Sequence, residues 1–116
     1  MAGPFDQAFV GRTLTKAEIL EAQVNFYFPQ CFIAVYNPIT IHCGSAFAHS
    51  SSPEFPAMLE LIVGETLQSI EVTPNNCLAL VLESGARIEI STEPGAYSGP
   101  EALSARGPNG ELFVVQ

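Results

Sequence analysis

A short string recurs in this chain at a fixed distance. Val10-Gly11-Arg12-Thr13-Leu14 returns as Val63-Gly64-Glu65-Thr66-Leu67, and Glu18 returns as Glu71 at the same offset. One more residue of offset aligns Val24, Phe26 and Phe28 with Leu78, Leu80 and Leu82. A repeat of this kind predicts one supersecondary unit used twice. The units run over about 9–41 and 62–91, with a C-terminal hairpin at 101–115, inside a single domain 1–116.

The second unit reads as strands. Ile70, Val72, Leu78, Leu80 and Leu82 alternate with Glu71, Thr73, Ala79, Val81 and Glu83, the period of a half-buried sheet. Pro74-Asn75-Asn76 is turn chemistry between them. Ser84-Gly85-Ala86 is expected to form a three-residue loop, with Gly85 in the left-handed position. That loop predicts Glu83 opposite Arg87, Leu82 opposite Ile88 and Leu80 opposite Ile90. A two-residue loop would mix apolar and charged side chains on one face, so it is rejected.

In the first unit, 24–28 and 31–36 read as strands across a turn at Pro29-Gln30. Phe26 and Phe28 point inward there, and Tyr27 lies on the other face beside Phe32 or Tyr36. Asn37-Pro38 turns the chain into a short strand at 39–41. Residues 44–56, rich in serine and proline, read as a surface loop. Ser52-Pro53-Glu54 predicts a capped helix start, followed by one or two turns through Ile62. Residues 4–9 read as the equivalent lead-in to the first unit. Gly107-Pro108-Asn109-Gly110 turns the last hairpin, and 92–100 is a loop carrying Tyr97. The expected fold is mainly β, a sandwich or partly open barrel of about eight or nine short strands, with one or two short helices.

Composition bounds the function. The chain is 47% hydrophobic and only 14% charged, which suits a packed globule. Its net charge of −8 repels nucleic-acid phosphates and anionic membranes, so neither is an expected partner. A protein with a basic surface is. The charge is uneven. Residues 1–53 carry Asp6, Glu18 and Glu21 against Arg12 and Lys16, a net of −1, whereas 54–116 carry nine Glu against Arg87 and Arg106, a net of −7. Three cysteines build no disulfide framework, and with no signal-peptide pattern the expected compartment is the cytoplasm.

Catalytic chemistry finds little support. His42, Cys43 and His49 fall short of a structural zinc set, and no metal or other cofactor is expected. A Cys43–His49 pair is the one nucleophile arrangement the spacing leaves open. There is no Gly-x-Ser-x-Gly elbow and no glycine-rich phosphate loop. Gly11 and Gly64 read instead as isolated positions of positive φ or close packing. The chain is therefore not expected to be an enzyme.

What remains is surface. Tyr27, Phe32, Tyr36 and Tyr97 exceed what a small core needs, and exposed aromatics anchor interfaces. With Glu83, Arg87, Glu89, Glu93 and Glu101 they form the expected partner-binding set, of which Tyr27, Tyr36 and Tyr97 are the aromatic members. The duplicated unit, 10–14 with 63–67 and the two hairpins, resembles small bacterial all-β proteins of unassigned function. Many of these are immunity partners of polymorphic toxins, so the resemblance implies an inhibitor of a partner protein. Two alternatives stand beside it: a small-molecule-binding β-barrel lined by Phe26, Phe28 and Phe32, or an assembly component that oligomerises through edge strands.

Overall fold

The computed structural model describes residues 3–73 and 76–116. Among these residues, ten strands form two antiparallel five-stranded sheets that pack face to face without closing into a barrel. The first half supplies α1 (Pro4–Phe9), β1 (Lys16–Ile19), β2 (Val24–Phe28), β3 (Cys31–Val35), β4 (Ile39–Cys43) and β5 (Ala46–His49). The second supplies α2 (Phe55–Ile62), β6 (Leu67–Thr73), β7 (Cys77–Leu82), β8 (Arg87–Ser91), a 3-10 turn at Pro94–Ala96, β9 (Leu103–Arg106) and β10 (Leu112–Val115).

Strand order shows how the halves combine. One sheet runs β1-β2-β3-β9-β10 and the other β5-β4-β8-β7-β6. Each sheet therefore takes three consecutive strands from one half and two from the other. The glycine segments join the halves through exchanged backbone bonds. Gly11 N–H donates to the Leu67 carbonyl (2.8 Å) and Gly64 N–H to the Leu14 carbonyl (2.7 Å). Leu14 N–H donates to Glu65 (2.8 Å) and Leu67 N–H to Arg12 (2.9 Å). Gly11 and Gly64 hold φ of 90° and 99°, a region that L side chains avoid, so each turns a helix end into these bonds.

Alternation places the core as expected. Phe26, Phe28, Leu78, Leu80, Leu82, Ile88 and Ile90 are all buried in one cluster between the sheets, which also holds Ile33, Ile39, Ile41 and Leu103. The helices close the margins. Phe55, Met58, Leu59 and Ile62 give α2 one apolar face at helical spacing. In α1, Phe9 meets Phe28 edge-on at 5.5 Å, while Phe5 stacks on Phe113 at 5.4 Å. No helix among the described residues is long and apolar enough to cross a membrane.

Several expectations are corrected. The 44–56 stretch is not all loop: Ala46–His49 is β5, an edge strand paired to β4, with Ala48 buried and Phe47 and His49 exposed. Glu54, not Ser52, occupies the N-cap of α2, and the Ser52 hydroxyl donates instead to the His49 carbonyl at 2.7 Å. Val72 pairs with buried Leu78 yet is 82% exposed, on the edge strand of its sheet. Pro74 and Asn75 of the expected turn lie outside the described residues.

The β7–β8 register is also corrected. Leu80 pairs with Ile88 and Val81 with Arg87, so Glu83 does not oppose Arg87. The loop is Glu83-Ser84-Gly85, closed by Leu82 N–H on the Ala86 carbonyl at 2.8 Å. Gly85, with φ of 95°, holds its left-handed position at the end of that loop and not at its middle. The shift is even, so Leu78, Leu80, Ile88 and Ile90 keep the inner face regardless.

Candidate functional site

The short β3–β4 connection, 36–38, joins the two sheets at one end of the sandwich. The β1–β2 turn, the ends of β5 and β8 and the start of β7 lie at the same end. The corresponding connection in the second half, between β8 and β9, is far longer and spans 92–102. Three hollows open among these segments. The central one, of ≈490 Å³, is walled by Glu21, Gln23, Tyr36, Asn37, Pro38 and Phe55 among others. A second, of ≈400 Å³, shares Pro38, Ile39 and Ser50 with it and extends to His49, Glu89 and Glu93. A third, of ≈360 Å³, shares Ala22, Gln23, Tyr36 and Ser98 with the first and extends to Glu101.

The three hollows adjoin through these shared wall residues, and together they are called the trough. Four carboxylates line it, from Glu21, Glu89, Glu93 and Glu101, and among the described residues no lysine or arginine does. Glu89 is held by Arg87 Nε at 3.3 Å and lies 2.9 Å from His42 Nε2. Glu21, Glu93 and Glu101 make no ion pair among the described residues. The three carboxylates without an ion-pair partner among the described residues favour positively charged groups at the trough.

Among the described residues, the lining residue Asn37 has one buried polar atom left unmatched. Asn37 is 4% exposed, and its Nδ2 donates to the Ser91 carbonyl at 2.7 Å. Its Oδ1 is buried and accepts no bond. A buried acceptor without a donor costs stability unless something in its surroundings supplies one.

The partner-binding residues expected from sequence divide between several places. Tyr36, Glu89, Glu93 and Glu101 line the trough, and half-buried Tyr97 lies between its lining residues Ala96 and Ser98. Arg87 sits on the outer face of the β5–β6 sheet, tied to Glu71 at 3.1 Å and to Glu89. Burial lowers its pKa, and hydrogen bonds to those two carboxylates more than reverse this, so it stands above the ordinary arginine value. Glu83 is at the opposite end of the sandwich, in the β7–β8 loop.

Tyr27 lies on the outer face of the other sheet, 6.0 Å from Phe32. Its hydroxyl donates to Glu18 (2.9 Å) and accepts from Asn25 Nδ2 (3.1 Å). Glu21, Asn37 and Phe55 were not picked out by sequence reasoning. They come from a turn, a connection and a helix start that only the packed chain brings together.

The cysteine and histidine candidates separate by strand alternation. Cys43 packs against the core, whereas His42 and His49 face outward with Phe47 between them, at 6.0 and 5.6 Å. A Cys43–His49 pair is therefore excluded by the sheet. Burial pushes all three thiols, Cys31, Cys43 and Cys77, above the ordinary value, the reverse of nucleophile activation. Among the described residues no group of three or more His, Cys, Asp or Glu side chains could hold a metal ion. Comparison with protein-family models, curated proteins and solved structures finds no match to this chain.

Proposed function

We propose that this protein is an acidic protein-binding inhibitor of immunity type, which neutralises a basic partner such as a toxin effector by engaging it at the trough. The observation that supports this most is the lining: four carboxylates, no lysine or arginine among the described residues, and the half-buried Tyr36 in the wall. Aromatics beside a charged rim are the usual anatomy of a protein interface. The net charge of −8 extends the same attraction beyond contact distance.

The test is capture of a partner on immobilised protein from native extract, at low and at high salt, followed by an assay of the captured protein's activity. A basic partner that is inhibited by the chain, released by salt and not captured by a Glu21→Gln/Glu93→Gln/Glu101→Gln variant is the expected result. Capture that ignores both salt and these substitutions refutes the reading.

A second reading is assembly through sheet edges. It is favoured by exposed Val72 on edge strand β6 and by exposed Leu112 and Val114 on edge strand β10. Light scattering across a concentration series tests it, and a strict monomer at high concentration rules it out.

A further inference from the structure

We infer that β10 is a pairing edge for a second copy of this chain, with which it forms an antiparallel β10–β10 contact about a twofold axis at Phe113. This rests on the assembly reading and names its surface, and it is independent of the inhibitor reading. The four sheet edges are not alike. Helix α2 lies against β1 and β5, and α1 lies against β6. β1 also carries Lys16 and Glu18, and β6 is interrupted by a register shift between Leu67 and Ser69. Covers, charges and bulges of this kind keep sheet edges from pairing. β10, Leu112-Phe113-Val114-Val115, carries no charge, no proline and no register shift. The rings of Phe5 and Phe9 in α1 meet it at Phe113, which packs against the core.

The hydrogen-bonding phase of the last hairpin fixes which groups are free. Gly107 N–H donates to the Glu111 carbonyl (2.9 Å) and Ala102 N–H to the Val115 carbonyl (2.7 Å). Strand alternation then turns the N–H and C=O groups of Leu112 and Val114 to the unpaired side of the sheet. Their side chains are 57% and 42% exposed. A second β10 running antiparallel about Phe113 sets Leu112 opposite Val114 of the second copy, and Val114 opposite its Leu112. Each of these two pairs exchanges two N–H···O bonds, so every free group of both strands finds a partner.

The distribution of charge suits a second copy and not a basic partner. The chain carries −8, so two copies repel except where carboxylates are absent. β2, β3, β9 and β10 contain no Asp or Glu, and Arg106 is their one charged residue. Arg106 pairs with Leu112, which puts the two copies of Arg106 at diagonally opposite corners of the contact. Glu111, just before the strand, is tied to its own hairpin, its Oε1 accepting from Asn109 N–H at 2.7 Å.

Analytical ultracentrifugation of the full-length protein over a concentration series, with amide hydrogen exchange at its two ends, tests the pairing. The expected result is a dimer with a dissociation constant on the order of 100 µM, as suits a contact built on one short strand. Exchange at the Leu112 and Val114 amides should slow at least about fivefold at the higher concentration, with no such change along β6. Val114→Pro removes one outward N–H and leaves the β9 pairing in place, so it should weaken the dimer at least about tenfold. Leu112→Lys should do the same by charging the edge, whereas Val72→Lys on β6 should leave the dimer unchanged. Should Val114→Pro fail to fold, the wild-type exchange pattern and Leu112→Lys decide. A dimer that Val72→Lys disrupts and Leu112→Lys leaves intact overturns this inference, while assembly through an edge survives on β6. A strict monomer at every concentration overturns both. Protection of Leu112 and Val114 that arises only on adding a captured partner protein assigns the edge to that protein and overturns the second copy.

Discussion

Thr13 and Thr66, 53 positions apart in the chain, face each other across a single antiparallel bridge with their hydroxyl oxygens 3.3 Å apart. Around them the backbone bonds exchange: what Gly11 does to Leu67, Gly64 does to Leu14. The junction depends on two glycines at positive φ. Nothing within 4 Å would meet a Cβ at either, so substitution there is a test of backbone conformation alone. Gly11→Ala and Gly64→Ala should each cost about 1–2 kcal/mol, the penalty for an L residue in the left-handed region. Urea denaturation reads the loss, and a change below about 0.3 kcal/mol at both sites would contradict the account.

Each sheet contains strands from both halves, so neither half can melt alone. Phe26 lies in one sheet and Leu80 in the other, and both are fully buried. Phe26→Ala should cost about 3–5 kcal/mol and Leu80→Ala about 2–5 kcal/mol, each lowering the same single transition. Far-ultraviolet circular dichroism and tyrosine absorbance should give coincident curves for wild type and both variants. Two separate transitions would show that the interlock does not couple the halves.

Arg87 bridges Glu71 and Glu89 on a partly exposed sheet face. Its replacement by methionine keeps much of the stem's packing and leaves two carboxylates without their cation. Given the exposure, the expected cost is only about 0.5–1 kcal/mol, shrinking further in high salt. Comparing Arg87→Met with wild type at low and high ionic strength checks both the size and the salt dependence.

The three thiols set an alkaline limit. Burial holds their folded pKa values above the ordinary 9.0. Unfolded chains therefore lose these protons first. The stabilisation is complete below the unfolded thiol value and is lost as pH rises through the folded values. Stability should fall above about pH 9, and less steeply in a Cys31→Ala/Cys43→Ala/Cys77→Ala variant. In the folded protein at neutral pH, alkylation by iodoacetamide should be much slower than in urea.

Glu93 and Glu101 carry no structural partner among the described residues, so their loss should be felt in association and not in stability. Glu93→Gln/Glu101→Gln should change unfolding free energy by no more than about 0.5 kcal/mol. Its association rate with a captured basic partner should fall several-fold at low salt and converge with wild type at high salt. Stopped-flow or surface-binding kinetics at two ionic strengths decide this.

By itself the sequence determined the things that depend on neighbours along the chain. Period-two alternation gave the inward faces of β2, β7 and β8, and glycines marked the turns. The even spacing of Leu78, Leu80 and Leu82 kept those faces apolar even where the hairpin register was two residues away from the expected one. Charge counting located the acidic excess. Tertiary structure alone decided what depends on residues far apart. Strand exchange between halves put β4 beside β8 and β9 beside β3, a choice made by packing and long-range pairing that no local pattern encodes. It also decided which acidic residues share a surface: Glu21 of the first half joined Glu89, Glu93 and Glu101 of the second, while Glu83 went to the opposite end. Whether Asn37 had a spare acceptor could be known only once the Ser91 carbonyl had claimed its nitrogen.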